Sequence, residues 1–77
     1  MFEKFRIKRR IRALEAEIRE IERKRARSQA ALTEALLSGT EPSDIDVDYF
    51  NKYTSHIDIL RARIRDLNEK LQEVSRK

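Results

Sequence analysis

Two heptad patterns run head to tail through this chain and mirror each other about Pro42. The first sets Ile7, Ile11, Leu14, Ile18, Ile21, Arg25, Ser28, Leu32 and Ala35 on one stripe; the second sets Phe50, Tyr53, Ile57, Leu60, Ile64, Leu67, Leu71 and Val74 on another. Steps of three and four alternate, the period of a coiled-coil seam. With Ile7 at d and Ile11 at a on the first arm, and Phe50 at a and Tyr53 at d on the second, every a can face a d across an antiparallel pair. A register in which paired residue numbers sum to 85 matches Ile11 with Val74, Leu14 with Leu71, Ile18 with Leu67, Ile21 with Ile64, Leu32 with Tyr53 and Ala35 with Phe50. The pattern predicts an all-α fold, an antiparallel two-helix coiled-coil hairpin forming a single domain over residues 1–77. Helix 1 is expected over about 3–37, a turn over 38–44 and helix 2 over about 45–75.

The turn has its own chemistry. Ser38-Gly39 ends helix 1, because glycine enters the left-handed conformation without strain. Thr40, Glu41 and Pro42 follow, and Ser43 or Asp44 is the expected cap of helix 2. Asp44, Asp46 and Asp48 crowd its first turn, where carboxylates complement the helix dipole.

Two helices bury one stripe each and leave no walled pocket, so neither catalytic residues nor a cofactor site is expected. The chain has no cysteine, one histidine and one glycine. These exclude a disulfide framework, a cysteine or histidine metal cluster and a phosphate-cradling loop. Asp44, Asp46 and Asp48 lack the glycine and the terminal Glu of a calcium loop. No apolar run approaches the ~20 residues of a membrane span, and the basic segment 1–12 lacks the continuous apolar stretch of a signal peptide. That segment has the look of a membrane-surface helix, yet it continues directly into the heptad pattern. A cytoplasmic location is the expectation.

Charge is distributed unevenly. Residues 1–28 carry eleven Lys or Arg and five Glu, residues 34–58 one Lys and six acids, and residues 59–77 six basic and three acidic residues. A hairpin therefore has a basic open end and an acidic tip. In the 85 register Glu22 meets Arg61 and Glu17 meets Lys70, while Lys24 meets Arg63 and Arg10 meets Lys77 in repulsion. Lys24, Arg25, Arg27, Arg61 and Arg63 gather at mid-length, and Lys8, Arg9, Arg10 and Arg12 near the open end. Like charges left together point to an anionic partner surface; a solvated face, neutralised locally by pairs such as Glu15–Arg19, Glu20–Lys24 and Asp66–Lys70, is the other reading. The candidate partner-binding residues are Arg9, Arg10, Arg12, Lys24, Arg25, Arg61, Arg63 and Arg65. Arg25 and Ser28 sit on the seam opposite Leu60 and Ile57, and are read either as register control or tolerated local weakness, or as a hinge or partner-contact point. His56 is expected beside Ala31 on a flanking position.

Leu36, Leu37, Tyr49, Phe50 and Tyr53 cluster around the tip, with Ile45 and Val47 near them. They form either a cap that closes the hairpin or an exposed patch that docks a partner. Met1, Phe2 and Phe5 extend past the end of helix 2 in this register. A hairpin this short is marginal alone. Self-association is expected, most simply as a two-fold dimer forming a four-helix bundle, with Ala26, Ala30, Leu37 and Ile59 as a second interface.

The stretch Ser38-Gly39, an acidic linker, then Phe50-Asn-Lys-Tyr53-Thr-Ser-His-Ile57-Asp-Ile-Leu60, resembles the centre of the FliJ/YscO-like stalk proteins of flagellar and virulence type III export. The start, Phe2-Glu-Lys-Phe5-Arg-Ile7, has a similar aromatic and basic character to their N-termini. The resemblance covers residues 38–61 at useful strength. It implies an antiparallel coiled coil that engages the ring of an export ATPase and communicates with the export gate and substrate chaperones, with Arg6–Arg12 and Arg61–Arg65 as docking positions. Beside this protein-binding role stand two others: a basic hairpin that binds nucleic acid, for which only Lys4–Arg12 is strongly basic, and a purely structural or engineered self-associating coiled coil.

Overall fold

The computed structural model describes Phe2–Arg76. Expectations that touch Met1 and Lys77 lie outside the described residues. The chain is an all-α hairpin: α1 (Phe2–Leu37) and α2 (Asp44–Arg76) pack against each other along their length. It measures 59 × 16 × 14 Å, with a radius of gyration of 17.4 Å; a compact domain of this length has about 11 Å.

Hydrogen bonds account for both helix ends at the turn. At the end of α1 the Gly39 N–H donates to Leu36 O at 3.2 Å and the Thr40 N–H to Ala35 O at 2.9 Å, the paired pattern of a Schellman cap. The Thr40 hydroxyl donates to the same Ala35 carbonyl at 3.0 Å. Gly39 takes φ +72°, the left-handed conformation this cap requires. Of the two expected caps of α2, Ser43 fills the place. Its Oγ accepts from the Ile45 N–H at 3.2 Å, and its carbonyl accepts the first helical bond from the Val47 N–H at 3.1 Å.

The seam residues meet, but one heptad away from the register expected. Leu14, Ile18 and Ile21 form one buried cluster with Ile57 and Leu60, and Tyr53, Ile64 and Leu67 pack against it. Ile57 and Leu60 are the most enclosed side chains, at 0% and 1% exposure, and Ile7 is 6% exposed. With sums of 85, the two most enclosed side chains, Ile57 and Leu60, would face Ser28 and Arg25. Sums of 78 remove both conflicts: Ile7 faces Leu71, Ile11 Leu67, Leu14 Ile64, Ile18 Leu60, and Ile21 Ile57. Two cross-helix pairs straddle this register. Glu17 lies 3.8 Å from His56 and Glu22 lies 3.9 Å from Arg61. Their number sums, 73 and 83, are centred on 78.

The shift has a packing cause. It makes five Ile and Leu layers contiguous, and it sets the two large rings opposite the two seam residues poorest in apolar volume. Phe50 then lies level with Ser28 instead of Ala35, and Tyr53 level with Arg25 instead of Leu32. All four are half-buried. The Arg25 stem can cover apolar surface while its head reaches water. The turn tolerates either choice, since Leu37 and Asp44, the last and first helical residues, sum to 81.

Candidate interaction surfaces

The heptad positions that face away from the seam are b, c and f. On α1 these carry Arg6, Arg9, Arg12, Arg19, Arg23 and Arg27 against Glu20 and Glu34, a net +4. On α2 they carry Asp44, Asp48, Asp58, Asp66, Glu69 and Glu73 against Lys52, Arg65 and Arg76, a net −3. All of these side chains are exposed. The hairpin is thus polarised across its width as well as along its length. The transverse polarity depends on which residues face outward, so segment charges alone do not reveal it.

The register separates the basic residues expected to gather at mid-length. Arg61 and Arg63 lie level with Glu17 and Glu15, about 12–15 Å along the axis from Arg25 at 1.5 Å per residue. Lys24 stays exposed and Arg25 sits half-buried on the seam. Arg61 reaches Glu22, the pairing expected of it. Arg63 shares a shallow groove with Arg10, Leu14, Asp66 and Leu67, and Arg65 lies on the outer face of α2. Arg61 and Arg65, four residues apart, share one side of α2, whereas Arg63 lies on the other flank, so the three cannot act as one patch. His56 meets Glu17 rather than Ala31, which takes Glu17 away from the expected Lys70.

Locally, Glu20 pairs with Arg23 three residues on, instead of with Lys24. The hydrogen bond from Arg23, then its charge, hold the Glu20 carboxyl below the usual range, with Lys24 and Arg27 adding to the effect. Both partners are more than half exposed, so the pair shapes the surface field more than stability.

Phe2 and Phe5, at 80% and 73% exposure, lie with Arg6, Lys8, Arg9 and Arg12 around a shallow concavity. In the observed register they do not extend past the end of α2 as expected but lie level with Arg76 and Glu73, and positions f and b place them on the outer face of α1. The expected tip cluster divides. Phe50 and Tyr53 are drawn onto the seam, whereas Leu36, Leu37, Ile45 and Tyr49 remain largely in solvent. Tyr49 stacks on Tyr53 with centroids 5.9 Å apart. Ile45 and Tyr49 line another shallow surface with Asp48 and Lys52.

Among the described residues, no group of three or more His, Asp or Glu is placed to hold a metal ion, and no helix is long and apolar enough to cross a membrane. Compared with known proteins, the chain matches no family model, no curated protein and no solved structure.

Proposed function

We infer that the chain is a non-enzymatic coiled-coil stalk or adaptor that docks another protein. The observation that carries this reading is the groove where Arg10 and Arg63 flank an apolar floor of Leu14 and Leu67, with Asp66 the acid lining it. Two guanidinium groups on either side of the half-buried Leu67 suit an acidic protein face, because arginine is enriched in such contacts and forks onto carboxylates. The rod shape supports the same role: it spans distance without enclosing a substrate.

The sharpest form of this reading follows the resemblance to the type III export stalks, with the ring of an export ATPase as partner and the cytoplasm as its place of action. Capture of a hexameric export ATPase by the immobilised hairpin tests it, using Arg10→Glu/Arg63→Glu beside Arg61→Glu and Arg65→Glu singly. The double variant should lose capture while Arg65→Glu retains it. Undiminished capture by the double variant would remove the groove from the site.

The six arginines on the outer face of α1 favour a second reading, nucleic-acid binding. Affinity for an oligonucleotide should then fall steeply between low and moderate salt. No binding at low salt would dismiss it.

A further inference from the structure

We propose that the hairpins stack side by side, the basic outer face of α1 in one copy receiving the acidic outer face of α2 in a second copy turned end for end. Charge complementarity comes first: the two faces carry +4 and −3 on fully outward positions. Opposed faces of one molecule are complementary to each other, so the contact is heterologous and repeats.

The exposed apolar residues choose the alignment. Phe2 and Ala16 on α1 are separated by the same two heptads as Ile45 and Ile59 on α2. Setting Phe2 beside Ile45 of the second copy therefore sets Ala16 beside its Ile59, and Arg23 beside its Asp66. One residue out of step, Arg6 meets Asp48, Arg27 meets Glu69 and Glu34 meets Arg76. Arg9 beside Lys52 is a like-charge mismatch. Ile45 and Ile59 are 65% and 53% exposed and Phe2 is 80% exposed, so each pair has apolar surface left to cover. The upright alignment, open ends together, also matches Arg9 with Glu69 and Arg12 with Asp66. However, it leaves Ile59 beside Arg19 and Ile45 beside Thr33, and it crowds the basic open ends. Inversion lays each basic end along an acidic tip. The result is an open row of alternating hairpins rather than a closed two-fold dimer. It shares only Asp66 with the Arg10–Arg63 groove and uses neither of those arginines, so Arg10→Glu/Arg63→Glu should leave the stack intact, and its failure and that of partner docking are separable.

Sedimentation velocity supplies the first test. At about 50 mM salt, where screening is weak, molar mass should climb past two chains as concentration rises, and at about 0.5 M it should fall to that of the free hairpin. A salt-insensitive monomer or fixed dimer overturns the stack. Arg6→Glu/Arg23→Glu/Arg27→Glu should abolish association with its helical circular dichroism intact, since all three positions are exposed. Mixing it with Asp48→Lys/Asp66→Lys/Glu69→Lys should restore association; a mixture no heavier than its components overturns the assignment of faces. Orientation is read by crosslinking, which is clean because the chain has no cysteine. Chains with Phe5→Cys should join those with Asp48→Cys faster than those with Glu73→Cys under a mild oxidant, and the reverse order overturns the inversion. Retention of the unstacked wild type on an oligonucleotide at low salt would give the basic face to nucleic acid and overturn the proposal.

Discussion

Ile7 is the buried seam residue nearest the open end of the hairpin, and Ile7→Ala tests the register there. With number sums of 78 the side chain is enclosed against Leu71, at 6% exposure. Truncation to alanine removes about three methylene equivalents, each worth about 0.8 kcal/mol when buried. The cost is then about 2 kcal/mol once partial burial in the unfolded chain is discounted. At 4–8 °C per kcal/mol for a domain of this size, the melting midpoint should fall by about 8–16 °C. Urea unfolding followed by circular dichroism gives the free energy, with Ile59→Ala as the control: Ile59 is 53% exposed on the outer face, and its truncation should cost under about 0.5 kcal/mol. A double-mutant cycle then identifies the partner. Ile7→Ala and Leu71→Ala should couple by at least about 0.5 kcal/mol, as contacting residues do. A loss at Ile7 no larger than at Ile59, or strict additivity with Leu71, would refute the register.

Other residues give further tests. Gly39→Ala should cost about 1–2 kcal/mol in thermal unfolding, all of it from the left-handed backbone, because a Cβ there meets nothing within 4 Å. Ser43→Ala, which deletes the acceptor for the Ile45 N–H, should cost about 1 kcal/mol and fray the first turn of α2 in amide exchange. Thr54 Oγ1 is enclosed without a hydrogen-bond partner, so the isosteric Thr54→Val should raise stability by about 1 kcal/mol; a destabilised variant would mean the hydroxyl is satisfied after all. Glu20 titrates below its ordinary value because of Arg23. Its small stabilising effect is present above the unfolded carboxyl pKa and is lost as pH falls through the folded one. In Arg23→Ala, an NMR titration should show the Glu20 pKa moving up.

The hairpin could be read from the heptads, since each stripe buries only against the other. The glycine cap and the carboxylates at the head of α2 were equally local. The register was harder. Sums of 78 and 85 both align a with d, and pairing by apolar identity alone favours the second, which joins Leu32 to Tyr53 and Ala35 to Phe50. Volume decides otherwise: a ring fills the space over Ser28 better than Ile57 does, and Ile57 and Leu60 pack instead with Ile21 and Ile18. The signal lay in Arg25 and Ser28, which the longer sum sets against Leu60 and Ile57. From that one step follow the displaced Glu17–His56 pair, the dispersed mid-length arginines and the lost overhang of Phe2 and Phe5. The outer charge asymmetry was legible once positions b, c and f were counted by helix instead of by segment.

The five Ile and Leu layers lie at the end remote from the turn, and this bears on the order of assembly. Zipping from the turn closes a short loop, from Ala35 to Ser43, but is rewarded there only by half-buried side chains. Joining Ile21 to Ile57 first is well rewarded but closes a loop about 4.5 times longer, which costs about 1.3 kcal/mol more in chain entropy. Neither end of the hairpin combines cheap closure with strong contact. On the route that zips from the turn, the Arg25–Tyr53 and Ser28–Phe50 layers must close before the Ile and Leu layers reward it. The turn half, whose seam side chains are only half-buried, should therefore exchange its amides before the open half does.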